Sequence, residues 1–334
     1  MLIRGGSVKM LAPSSAREAS FQPGSNPSTE RTKGLSMKTR SGRLELLSFF
    51  LVGCVFFLLM AGGLVTSHDA GLAVPDWPLS YGTWMPPMVG NIFWEHGHRM
   101  IAGFVALLTL FTAVCIQRSP EPGWIKKLAW TGVVLVTLQA LLGGMTVLML
   151  LPPPVSISHA CLGQTFFCLT IALAYYLSPA SRKSGLQGED PLLVRKLMRL
   201  TLLTFLFVYL QLILGAVVRH TGKAVYEHMG FALAVVAHVV LVQLAVSRLT
   251  DARSPLKPAA RILAALTLLQ IVLGAGAFVF TQMIQRQGPA APLHEVVFAS
   301  AHHTNGALVI GLAALIFVMS RPAPFGSHRL KAAV

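Results

Sequence analysis

The sequence predicts an all-α integral membrane protein, with eight transmembrane helices arranged as two pseudo-symmetric four-helix bundles. Three observations predict it: an apolar composition, basic residues gathered on one side of the apolar runs, and an internal repeat. Of the 334 residues, 54% are hydrophobic and 12% charged, with a mean hydropathy of +0.65. Soluble domains carry roughly 25% charged residues. Eight apolar runs stand out, near 45–67, 94–117, 126–150, 156–178, 194–218, 226–249, 259–284 and 297–319. Each reaches the ~20 residues that a bilayer crossing requires.

A net charge of +15 would raise nucleic acid as a partner in a soluble protein, but its distribution excludes that reading. With the N-terminus inside, 23 of the 27 Lys and Arg fall on the inner side. They lie before the first run and in 118–127, 182–199, 248–261 and the stretch after 320. Only Arg99, Arg219, Lys223 and Arg286 fall elsewhere. The positive-inside rule then sets an even number of crossings with both termini cytoplasmic.

Taken in order, residues 1–43 are rich in Ser, Gly, Pro and basic side chains without helical period, and predict a disordered cytoplasmic tail. Met37 offers an alternative start, and a transit peptide is the weaker reading because Glu18 and Glu30 interrupt the stretch. Residues 44–180 form the first four-helix half, 181–193 a cytoplasmic linker, 194–320 the second half and 321–334 a cytoplasmic tail. The loop from His68 to Phe93 is the longest on the outer side and has no Lys or Arg. Its Pro75-Asp76-Trp77-Pro78 and Trp84-Met85-Pro86-Pro87 segments predict either a structured lid or an aromatic belt with a fixed turn. Cys54, Cys115, Cys161 and Cys168 lie in or beside apolar runs and suggest no outer disulfide.

The repeat is Gln-x-x-Leu-Gly: Gln139 to Gly143, Gln211 to Gly215 and Gln270 to Gly274, in runs three, five and seven. Run one joins through Gly63 and His68, whose five-residue offset recurs as Gly215 and His220. Such glycines read as close helix packing or as room for a flat ligand.

Each even-numbered run carries a histidine near its outer start: His98, His159, His228, and His302 or His303. His98 and His228 precede Ala102 and Ala232 by four residues, while His159 and His302 precede Gly163 and Gly306 by four, which favours His302. A histidine from each of two facing helices suits the two axial positions of a haem iron, so each half predicts one bis-histidine haem site. Zinc fits less well, for want of further ligands in each half; a proton relay stays open. Only the first half places a carboxylate three residues before its histidine, Glu95 before His98, on the same helix face. Glu95 reads as a general base at the edge of a bound macrocycle, or as the i,i+4 partner of Arg99. Arg99 and Arg219, both at the outer end, suit haem propionates. His238 reads as a hydrogen-bonded packing residue.

These residues resemble a known family. Val65-Thr66-Ser67-His68-Asp69-Ala70-Gly71-Leu72-Ala73-Val74-Pro75-Asp76-Trp77-Pro78 is similar to heme A synthase, as are Glu95-x-x-His98-Arg99-Met100, Leu138-Gln139-x-x-Leu142-Gly143-Gly144, His159-x-x-x-Gly163 and Val217-Val218-Arg219-His220-Thr221-Gly222. The likeness covers most of residues 45–320. It implies conversion of haem O to haem A, by stepwise oxidation of the C8 methyl to an alcohol and a hydrated aldehyde with oxygen from water. It also implies His98 and His159 as ligands of the substrate haem, His228 and His302 as ligands of a haem b, and Glu95 as the catalytic glutamate. The implied setting is a bacterial cytoplasmic membrane with haem sites toward the outer face. Candidate partners are membrane lipid, heme O synthase and further copies of the chain, with the electron acceptor open. The sequence departs from the family pattern in three places: no cysteine pair in the outer loops, Ser67 where many relatives have arginine, and a very short outer loop in the second half. A dihaem b-type electron carrier is the competing reading, and a repeat-built transporter ranks last, because the histidines lie near helix ends rather than at the midplane.

Overall fold

The computed structural model describes residues 27–182, 186, 188–284, 288 and 290–321, with side chains from residue 42 apart from Arg182. Arg286, His328 and most of both predicted tails lie outside the described residues. The chain divides into two compact units, Met1–Arg40 and Ser41–Val334. The first has helical backbone from Pro27, within the stretch read as a tail. Among its described residues, the second contains eight helices long and apolar enough to cross a membrane, and the protein is a multi-pass membrane protein.

The helices are α1 (Pro27–Ser67), α2 (Gly90–Gln117), α3 (Gly123–Leu148), α4 (Pro153–Leu177), α5 (Pro191–Thr221), α6 (Val225–Ser247), α7 (Leu256–Phe278) and α8 (Leu293–Met319). In α1, the membrane segment is Gly42–Ser67. Their boundaries follow ordinary helix chemistry. Pro153 and Pro191 open α4 and α5, where a missing N–H costs nothing. Asp190 caps α5 by accepting from Leu192 N at 2.9 Å. Gly222 closes α5 at φ 67°, a left-handed turn that glycine adopts without strain. Hydroxyls within the spans bond back to their own helix, as Thr109 does to the Val105 carbonyl at 2.7 Å and Thr267 to Leu263 at 2.8 Å. In hydrocarbon, polar groups must find partners within the protein.

Consecutive helices pack pairwise along the chain, α2 with α3, α3 with α4, α5 with α6, α6 with α7 and α7 with α8. Across the halves, α4 packs on α8 and α5, and α5 on α8. Half of the α4 membrane window and 44% of that of α8 is buried, against 11% for the window in α7 and the turn after it. The histidine-bearing helices α4 and α8 therefore form the central spine. Their closeness rests on Gly311, where a Cβ would stand 2.7 Å from Ile171 Cδ1 and 2.8 Å from Phe167 Cε1. One apolar cluster joins Leu51, Val55, Val105, Val136, Phe166, Phe167 and Ala307 from α1, α2, α3, α4 and α8.

Away from the membrane, Glu189 ties the segment before α5 to the α6–α7 connection. Its carboxylate accepts from Asp251 N at 3.0 Å and from Thr250 N at 3.1 Å. These backbone N–H groups hold the Glu189 carboxyl below the usual carboxylate range, because they favour its charged form.

Candidate functional site

His228 on α6 faces His302 on α8, with ring centroids 6.2 Å apart and planes 83° to each other. Each ring lies against a glycine of the preceding helix. A Cβ at Gly215 would stand 3.0 Å from His228 Cε1, and one at Gly274 2.8 Å from His302 Cε1. The glutamine one turn earlier holds the backbone: Gln211 Nε2 donates to the His228 carbonyl at 2.8 Å, and Gln270 Nε2 to that of His302 at 3.0 Å. Gln-x-x-Leu-Gly is thus a clamp in which the glutamine fixes the histidine helix and the glycine makes room for the ring.

The first half repeats the plan. Gln139 Nε2 donates to the His159 carbonyl at 2.9 Å, and a Cβ at Gly143 would stand 3.0 Å from His159 Cε1. His98 on α2 is backed by α1, but by Gly62, at 3.1 Å. The expected alignment through Gly63 is corrected here. A Cβ at Gly63 would instead stand 2.7 Å from His303 Cδ2 of α8. Adjacent helical residues point roughly 100° apart, so the two glycines serve two different helices. Gly163 and Gly306 stand where Gln139 and Gln270 cross, and a Cβ at each would lie 3.0 and 3.2 Å from the amide nitrogens; this explains the four-residue offset seen in sequence.

The Nδ1 atoms of His98, His159, His228 and His302 are buried without a protein partner. Each such orphan costs on the order of 1–3 kcal/mol, so four on one repeating plan point to rings that meet a group the protein does not itself supply. Two metal–imidazole bonds of about 2 Å, with half a ring beyond each, match the 6.2 Å between the His228 and His302 centroids. The residues present therefore fit an iron held between paired imidazoles.

Glu95 is buried at 4% exposure and bonded on both oxygens. Oε2 accepts from Val74 N at 2.8 Å and Oε1 from Arg99 Nη2 at 2.5 Å. Arg99 also donates through Nη1 to the carbonyls of Asp76 at 2.7 Å and Leu79 at 2.9 Å. Together they pin the 68–89 loop onto the helices. Ser80 bonds His96 Nδ1 at 2.8 Å, and Tyr81 donates to the Ala73 carbonyl at 2.5 Å. The Trp77 ring lies against Gly144, where a Cβ would stand 2.6 Å from Cδ2, beside the glycine that backs His159. The loop is a structured lid, while Trp84 and Met85 at its tip stay exposed. Asp76 accepts from Gly82 N at 2.8 Å and Tyr81 N at 2.7 Å. These N–H groups, the Gly82 one foremost, hold its carboxyl below the usual aspartate value of 3.8.

Arg219 leaves its own half. Its Nη2 donates to the Gly63 carbonyl at 3.0 Å and to Ser67 Oγ at 2.7 Å on α1, and Ser300 of α8 donates to the same Ser67 oxygen at 2.8 Å. Asp69 and Glu295 lie within its electrostatic reach. Glu227 is exposed beside His228. His68 stacks on Trp94 at 4.0 Å, and His238 bonds the Ala234 carbonyl at 3.0 Å against Phe207, as a packing residue. Sequence reasoning missed His96 as a lid anchor, His303 at the seam between the halves, Asn305 bonded to Gln270 Oε1 at 2.7 Å, and buried Glu295. Of these, only Glu295 carried a local signal, an acid in the first turn of α8.

Residues 88–227 match the sequence profile of the COX15-CtaA family, described as cytochrome oxidase assembly protein. Relatives named Heme A synthase include one from Symbiobacterium thermophilum, 30% identical over 191 residues, covering 54% of this chain and 60% of the relative. Another, from Bacillus pumilus, is 30% identical over 185 residues with the same shares, 54% and 60%. One from Shewanella oneidensis is 32% identical over 189 residues, covering 51% of this chain and 54% of the relative. The chain thus spans less than two thirds of the length of these relatives. The stretch that resembles the COX15-CtaA family, residues 88–227, contains Glu95, His98, His159 and Arg219, and the relatives it shares are proteins named heme A synthase.

Proposed function

We propose that this protein is a heme A synthase, an oxidoreductase that converts the C8 methyl of haem O to a formyl group with water as the source of oxygen. The observation that carries the reading is an asymmetry: two histidine pairs built on one plan, with a buried carboxylate one helical turn from only one of them. His98 and His159 hold the substrate haem, and His228 and His302 hold a haem b. When bound, that haem b supplies one-electron transfer. Glu95 lies on the His98 face of α2 and takes up a proton as the methyl is oxidised, while Arg99 keeps the carboxylate in place and the lid limits the water that reaches it. Arg99 and Arg219 provide positive charge for the propionates, besides the protein acceptors that they already hold. The setting is a bacterial cytoplasmic membrane, with both termini cytoplasmic and the histidine ends of the helices outward. Membrane lipid, heme O synthase and further copies of the chain are its partners, and the electron acceptor stays open.

A second reading, a dihaem b-type electron carrier, is favoured by the bonds of Glu95 to Val74 N and Arg99, which by themselves make it a lid anchor. Glu95→Gln separates the two, since the amide oxygen still accepts from Val74 N but takes up no proton. In membranes supplied with haem O, haem A formation falls by at least a hundredfold if Glu95 is the base, a typical general-base contribution being 10²–10⁴-fold. Haem A formed at the wild-type rate would leave only the anchor. Pyridine haemochrome analysis of the purified protein checks both readings, which share a requirement for haem.

A further inference from the structure

Resting on the reading of the first half as the substrate site, we propose that haem enters and leaves that site between α1 and α2, with His98 as the ligand that moves. The histidine sites differ in how firmly the backbone is tied. Gln139, Gln211 and Gln270 donate to the carbonyls of His159, His228 and His302 at 2.9, 2.8 and 3.0 Å. His302 is held further by Asn305, which donates to Gln270 Oε1 at 2.7 Å and to the Leu266 carbonyl at 2.9 Å. On α1, the position one turn before Gly62 is Leu58, which has nothing to donate. His98 therefore keeps the glycine that admits its ring and lacks the glutamine that ties its partners' backbone to the neighbouring helix, its own turn being held to the 68–89 loop through Glu95, His96 and Arg99 instead. An interhelical hydrogen bond in a membrane shifts an opening equilibrium by roughly 3- to 30-fold, so α1–α2 is the seam that parts first.

A second observation lies on the same seam. A groove of about 630 Å³ runs between α1 and α2, walled by Gly53, Cys54, Phe57, Met100, Ile101 and Phe104. Met100 and Ile101 directly follow the His98-Arg99 pair on α2. Nothing stands within 4 Å of a Cβ at Gly53, so α1 presents an open wall there. His159, by contrast, is on α4, half of whose membrane window is buried, and it cannot move without repacking the spine. A largely apolar macrocycle arriving from the bilayer meets, between α1 and α2, apolar walls and the one ligand without a glutamine tie across its seam.

The test is haem b exchange in the full chain in detergent or lipid discs. His228→Ala with His302→Ala leaves only the first-half site, and His98→Ala with His159→Ala leaves only the second. Each is loaded with haem b, and loss to excess apomyoglobin is followed in the Soret band. The first-half site is expected to lose haem at least tenfold faster than the second. In the first-half background, Leu58→Gln slows the loss 3- to 30-fold, while Leu58→Met, of similar size without a donor, stays within twofold of the parent. Gly53→Phe, which fills the groove, slows it as well, and serves where Leu58→Gln does not fold. Equal loss from the two sites overturns the proposal, as does an equal effect of Gln and Met at position 58. Failure of both backgrounds to take up haem b would overturn the function reading beneath it, whereas equal exchange from loaded sites sinks only the route.

Discussion

Glycine in a helix interior costs about 1 kcal/mol relative to alanine, so a glycine behind each of four histidines implies a steric need at each. The prediction at Gly274 is the sharpest, because a Cβ there would stand 2.8 Å from His302 Cε1 and 3.2 Å from Nδ1. Gly274→Ala should push the ring off its position at a cost of about 1–3 kcal/mol, the usual penalty of overpacking. The haem b that the second half is proposed to bind, read from reduced-minus-oxidised spectra, should fall severalfold. Gly103→Ala is the control: nothing lies within 4 Å of its Cβ position, and haem content should stay at the wild-type level. At this scale the sequence was most legible where it repeats itself. The histidines, Glu95 and the odd-helix glutamines all declared themselves through spacing. Gly62 did not, because Leu58 replaces the glutamine that would have set the register, leaving two adjacent glycines to choose between. The capture of Arg99 by the Asp76 and Leu79 carbonyls was hidden for another reason, since backbone acceptors have no residue identity.

The 68–89 loop is the element on which the first-half site depends, and its prolines and tryptophans announced order without saying what they would bind. Its internal turn hangs on Asp76, whose carboxyl is held below 3.8 by Gly82 and Tyr81 N–H groups. A carboxylate with a lowered value stabilises the folded loop above the ordinary aspartate range, and that contribution is lost as pH falls through its folded value. Protection of the loop against a protease active from neutral into acid pH, added from the loop side, should therefore hold from neutral pH down to about 4 and disappear below the ordinary value of 3.8. Asp76→Asn should be cleaved at neutral pH as well, with a flat pH profile. Protection of the variant equal to wild type at pH 7 would mean that Arg99 and Glu95 alone hold the loop. Trp77→Ala tests the other anchor: with its ring gone from Gly144, cleavage should rise at neutral pH while the acid transition remains.

In the whole molecule, the repeat suggested two halves, but it did not show how their helices are joined, because the residues concerned lie far apart in sequence and break the repeat rather than follow it. The spine of α4 and α8 supplies apolar contact, and a polar seam crosses beside it, from Arg219 to Gly63 and Ser67 and from Ser300 to Ser67, with the His303 ring packed against Gly63. Ser67 is small enough to let the Arg219 guanidinium reach the α1 backbone, so the positive charge at this point of the first half comes from α5. Arg219→Ala would remove the side-chain donor that the Gly63 carbonyl holds besides its place in the α1 ladder, and one of the two donors to Ser67. Hydrogen bonds made by a charged group contribute about 1.5–3 kcal/mol. The melting temperature of the purified protein in detergent should drop by several degrees, and the single transition expected of a joined molecule should split into two. Arg219→Lys retains the charge but loses the planar fork, and should give an intermediate shift with one transition. If the Ala variant melts as the wild type does, the α4–α8 spine alone unites the halves, and Arg219 is left free to serve a ligand.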